Sequence, residues 1–129
     1  MVRIFYIAIG GAAGATLRYW LSGAAQRIFS GEFPWATLSV NLIGSLAIGF
    51  LWGMLESVAV SPNIRVLLFV GVIGSFTTFS AFSLESFHLL RDGQHGLFLI
   101  NVMASFFLSI ALVFVGHFIS QYLFASIKG

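Results

Sequence analysis

The sequence has no cysteine, only two prolines, and charged side chains at just 8% of its positions. Without cysteine, disulfides and thiolate metal sites are excluded. So few charges also exclude an ordinary water-soluble domain, because hydrophobic residues make up 59% of the 129 positions and the mean hydropathy is +1.02. His88, His95 and His117 are too scattered to form a metal site. No activated nucleophile, metal constellation or phosphate loop is present, so nothing in the sequence supports an enzyme or a nucleic-acid partner.

What the sequence does contain is four long apolar runs, and spanning a bilayer takes about 20 such residues per helix. They extend from Arg3 to Ala25, Ala36 to Leu55, Ile64 to Leu90 and Gly96 to Phe124. The expected fold is therefore an all-α membrane protein, a single four-helix transmembrane domain over 1–129 embedded in a lipid bilayer. Arg18 interrupts the first run before the small residues Ala24 and Ala25, so that segment is expected to be a retained helix and not a cleaved leader. Ser30, Gly31 and Pro34, then Ser61 and Pro62, then Asp92 and Gly93 punctuate the chain between runs. Trp20, Trp35 and Trp52 near the helix ends suit the membrane interface. The connections are short, which confines function to the helices or the spaces between them.

Charge does not orient the chain. Four spans place Arg3, Arg65 and Lys128 on one side, and Arg27 and Arg91, with Arg18 nearby, on the other. This balance is compatible with insertion both ways, and hence with a dimer of oppositely oriented copies; a short chain also yields such a count by chance. Four helices alone hardly enclose a hydrated path, which favours an oligomer. Gly10 and Gly14, and then Ser45, Gly49 and Gly53, recur every four residues, a spacing that lets helix backbones approach closely, within a subunit or between two.

The third run is the unusual one. Val66 to Leu84 carries no charge, yet Ser75, Thr77, Thr78, Ser80 and Ser83 place five hydroxyls in nine residues, close behind Gly71 and Gly74. Glycine weakens a helix and hydroxyls compete for its backbone partners, so a break in mid-membrane is expected here. Such a break frees amides that favour anions and carbonyls that suit a hard cation. The alternative is an intact helix whose hydroxyls bond back one turn. Phe79 and Phe82, three apart, share a face if the chain is helical after the break, and their electropositive ring edges can meet an anion. At this spacing packing is the plainer role. Asn41 in the second run and Ser105 and Ser109 in the fourth extend a donor-rich, carboxylate-poor set, although a buried asparagine often merely cross-links helices.

At these residues the sequence resembles the Fluc (CrcB) family of fluoride channels. GAAGATLRYWL, TLSVNLIGSLAIG and GVIGSFTTFSAFSLE are similar to that family's patterns, in the same order along the chain. The resemblance implies an antiparallel dual-topology homodimer with a broken third helix, two antiparallel pores and passive fluoride export across the bacterial cytoplasmic (inner) membrane. It implies that Phe79, Phe82 and Asn41 line the pore, that Thr78, Ser80, Ser83, Ser105 and Ser109 lie on or near its polar track, and that Arg18 stands in the vestibule. Gly74 and Thr77 would hold a central structural Na+ through backbone carbonyls contributed by both subunits. Ser75 stands where a second glycine is usual and Ala81 where threonine is common.

Arg18 and Glu85, each late in its helix on the same side, are expected to pair at the mouth or to steer ions there. The rival reading is a small multidrug-type proton-coupled cation antiporter, which needs a carboxylate within the membrane. Glu85 alone is deep enough to serve, since Glu56 ends the second helix and Asp92 lies in a loop. A non-conducting assembly subunit would leave the hydroxyl-rich segment unexplained.

Overall fold

The computed structural model describes residues 1–128. Gly129 and the side chains of Ile127 and Lys128, the last counted in the charge balance above, lie outside the described part. The described residues form helices without strands: α1 (Val2–Ile28), α2 (Trp35–Ser57), α3 (Pro62–Val66), a π-helical stretch Leu67–Ile73, α4 (Gly74–Phe76), α5 (Phe79–Arg91) and α6 (His95–Lys128). Ser61 caps α3 by accepting from the Ile64 amide, and Pro62 takes the first turn, where its missing N–H costs nothing. The turns at Gly31 and Gly93 use positive φ angles of 112° and 75°, open to glycine without strain.

Three segments are long and apolar enough to cross a membrane: Trp35–Ser57, Pro62–Arg91 and His95–Ser126. The α1 helix spans 27 residues but, with three arginines and four glycines, is not among them.

Small residues set the packing. The α1 helix crosses the π-helical stretch where Gly10 meets Gly71; a Cβ on Gly71 would stand 2.8 Å from the Gly10 Cα. On the other side α2 lies along α6, where a Cβ on Gly49 would collide with the Val113 carbonyl and one on Gly116 with that of Leu46. Gly53 rests on His117 and Ser120. The expected ridges at Gly10, Gly14, Gly49 and Gly53 therefore pack within one subunit. Large apolar side chains point outward instead, among them Phe106, Phe114, Phe118 and Tyr122. That distribution suits a lipid surround, in which helices associate through close contact because burying apolar area gains little.

Gly49→Ala should lower the apparent melting temperature in detergent, because overpacking of a backbone contact costs about 1–3 kcal/mol. Gly23→Ala, with open space around it, should be neutral or stabilising by up to about 1 kcal/mol. Size-exclusion recovery after a temperature series checks both, and equal melting would contradict the packing described.

Candidate functional site

The third membrane segment is interrupted at Thr77 and Thr78. Both residues are extended (φ −82°, ψ 158° and φ −150°, ψ 112°), so the helical hydrogen-bond ladder stops there and restarts at Phe79. The π-helical turn just before it is a second irregularity of the kind that collects at functional sites.

Side chains take over the missing backbone bonds. The Asn41 Nδ2 donates to the Thr78 carbonyl at 3.0 Å, while the Thr78 amide donates to Asn41 Oδ1 at 2.8 Å. A primary amide presents the same donor and acceptor as a peptide unit, so one asparagine pairs both polar groups of Thr78. Thr78 Oγ1 caps α5 by accepting from the Ala81 amide at 3.2 Å, and the Thr77 hydroxyl donates to the Ile73 carbonyl at 3.0 Å.

These substitutions leave other groups without their usual partners. In a continuous helix the Thr78 amide would serve the Gly74 carbonyl and the Ala81 amide the Thr77 carbonyl. Both amides are diverted, to Asn41 and to Thr78 Oγ1. The carbonyls of Gly74 and Thr77 thus lose their helical donors, and the first amides of α5 have no helical acceptor.

A cavity of about 660 Å³ opens beside the break. It brings together seven of the expected residues, Asn41, Thr77, Thr78, Phe79, Phe82, Ser105 and Ser109, drawn from α2, the break, α5 and α6. None of its lining residues carries a charge. The Ser105 Oγ is buried without a hydrogen-bond partner, although a helical serine can satisfy itself one turn back. The Phe79 and Phe82 rings lie 5.3 Å apart between centroids. Ser45 also lines the cavity and was read from sequence only as a packing residue. Its signal was there, since Asn41 and Ser45 are four apart, as Ser105 and Ser109 are.

Other expected residues fall outside this lining. Gly74 is on the helix before the break, Ser80 contacts Thr78 Oγ1 at 3.3 Å, and the Ser83 hydroxyl donates to the Phe79 carbonyl at 2.9 Å. Arg18 is also outside it and forms no ion pair with Glu85 among the described residues. Of the two roles expected for Arg18 and Glu85, the direct pair is not formed: Glu85 Oε1 accepts from the buried Thr37 hydroxyl at 2.7 Å, while Oε2 is buried without a partner. Glu85 belongs to a second, acidic cleft of about 280 Å³, which it shares with Glu32, His88, Asp92 and Gln94.

The cavity thus combines neutral donors with a helix start, and the break offers hard oxygens on its other edge. Residues 5–117 match the family model described as CrcB-like protein, Camphor Resistance (CrcB). Among curated relatives, a protein of Parabacteroides distasonis is 42% identical over 99% of this chain and 100% of its own length. One of Aquifex aeolicus is 42% identical (92% and 96%), and one of Salinibacter ruber 44% (90% and 87%). All three are named fluoride-specific ion channel FluC.

Asn41→Leu keeps the volume of the side chain but strands two backbone groups of Thr78, each worth about 1–3 kcal/mol when left unpaired. The variant should melt earlier than the parent, and peptides covering Thr77–Ala81 should exchange amide hydrogens faster by mass spectrometry. Unchanged exchange there would show that Asn41 does not hold the break.

Proposed function

The chain belongs to the CrcB-like family, and from that premise we propose that it is a passive fluoride channel in a multi-pass membrane protein, not an enzyme. The observation that carries the proposal is the uncharged cavity beside the helix break, mostly apolar with a few donors converging on it. Fluoride is small and holds its water tightly, so a dry path must replace that water with fixed donors. Asn41 retains one amide hydrogen beyond its bond to Thr78, and Ser109 offers a hydroxyl, with the buried, unpartnered Ser105 hydroxyl close behind the lining. The first amides of α5 add the partial positive charge of a helix start. Ring edges of Phe79 and Phe82 complete a shell that offers a larger, softer anion less.

Within this reading Ser80 and Ser83 extend the polar track along α5, and Arg18 and Glu85 belong to the mouths. The working unit is a homodimer of oppositely inserted copies with two pores and four membrane helices per copy, α1 included. The balanced charge of the two faces supports it. The break also fits a structural Na+: the freed carbonyls of Gly74 and Thr77 are the hard oxygen donors such an ion takes. When bound, it would supply positive charge that offsets repulsion between the anions. We place the protein in the bacterial cytoplasmic membrane. Hydrogen fluoride crosses lipid and ionises inside, and a negative interior drives the anion outward with about 2.3 kcal/mol per charge per 100 mV. No coupling carboxylate is then needed. Proton-coupled antiport is disfavoured, since Glu85 lies outside the cavity and is engaged by Thr37.

Purified protein in liposomes should release fluoride rapidly once valinomycin discharges the potassium potential, with chloride retained. Phe79→Ile and Asn41→Asp should each slow fluoride efflux by about tenfold or more, the scale set by losing one buried donor or its geometry. A fluoride electrode reads the outcome. Absence of efflux from well-folded protein would refute the channel.

A further inference from the structure

One buried polar pair takes no part in the path described. Asn101, 1% exposed, donates from Nδ2 to the Oγ of Ser86, 6% exposed, at 3.0 Å. Burial of an amide without a partner is costly, so this bond fixes where the two side chains sit. Among the described residues it is the one side-chain hydrogen bond between α5 and α6.

Its position in both helices is specific. On α5, Phe79, Phe82 and Ser86 follow at intervals of three and four residues and form one stripe. On α6, Asn101, Ser105 and Ser109 follow at intervals of four and form another. The aromatic wall and the hydroxyl wall of the cavity thus both continue, one turn further, into the Ser86–Asn101 bond. Ser105, next to Asn101 along its stripe, has a buried hydroxyl with no partner of its own, so its bonds do not hold it in place.

We propose that Asn101 and Ser86 are a positioning pair that sets the register of the Phe79 and Phe82 ring edges against the Ser105 and Ser109 hydroxyls. This rests on the fluoride-channel reading and deepens it: the pair controls how closely the walls fit a small dehydrated anion, and hence discrimination against larger ones. A shift of one wall along the other separates ring edge from hydroxyl and favours an anion that needs less of either.

The test compares fluoride and chloride efflux from liposomes holding the parent protein, Ser86→Ala or Asn101→Leu, with size-exclusion profiles in detergent as a folding control. Ser86→Ala strands the Asn101 amide. Asn101→Leu removes the amide at similar volume and lets the Ser86 hydroxyl bond back one turn, so it decides the matter if Ser86→Ala does not fold. The expected result is a normally eluting protein whose fluoride efflux falls by about tenfold while chloride efflux rises, a change of selectivity that a merely structural role would not produce. Normal elution with unchanged fluoride rate and unchanged chloride exclusion would overturn the positioning role alone. A parent protein that conducts no fluoride would overturn the channel reading itself, and this inference with it.

Discussion

In hydrocarbon every backbone N–H and C=O must find a partner, because water is not there to supply one. The rest of this structure is arranged around the break where, among the described residues, a membrane-crossing segment stops obeying that rule through its own helix. At Thr77 and Thr78 the ladder is broken, and Asn41 on α2 repairs it by standing in for a peptide unit. The repair is incomplete in a productive way. Every amide diverted to a side chain leaves a carbonyl behind it, and restarting the helix at Phe79 leaves amides ahead of it. One irregularity therefore makes two opposite electrostatic edges, oxygen-rich before the break and amide-rich after it.

Such a repair works only if α2 comes very near the third segment, which is why glycine matters here. Gly44 is covered by Thr77 and Phe76, and any Cβ at that position would collide with the Thr77 methyl group. One turn before Gly44, roughly, stands Asn41, so close contact at the glycine brings the amide within reach of Thr78. Gly10 against Gly71, and Gly49 and Gly116 between α2 and α6, hold the flanking helices at similarly short range. Bulky phenylalanines meanwhile occupy the outer surface, where a lipid surround imposes no penalty on them.

The second, third and fourth apolar runs were legible from composition because hydropathy over some 20 residues is a strong signal, whereas the first, diluted by arginines and glycines, became a helix that is not among the segments apolar enough to span. The crowding of hydroxyls among glycines pointed to the interrupted region, but not to Thr77–Thr78 as the two extended residues. The π-helical stretch Leu67–Ile73 was not legible, since a plain apolar run such as LLFVGVI reads equally as α-helix. Site residues were mostly carried by resemblance, since spacing alone left Phe79 and Phe82 as ordinary packing. Asn41 illustrates the limit: its donors were evident, yet that both its polar atoms serve Thr78 depends on a contact 37 residues away in sequence. The bond of Thr37 to Glu85 was hidden for the same reason, because Thr37 lies 48 residues off and carries no charge to suggest the match.

The absence of charge from the cavity is itself a functional constraint. A lysine there would attract an anion strongly, and a pore that binds too tightly does not conduct. The start of α5 supplies the equivalent of only about half a positive charge, fixed in place and not titratable over the biological pH range. In the proposed channel that attraction, combined with neutral hydroxyls, an amide and ring edges, would receive an anion and still let it leave. Carboxylates cannot share such a space without repelling the cargo, and they are kept apart: Glu32, Glu85 and Asp92 gather in a separate cleft, with Glu85 engaged by Thr37. The same economy explains why the break is repaired with neutral Asn41 and not with a charged residue, which would restore the backbone pairing only by changing the potential along the path.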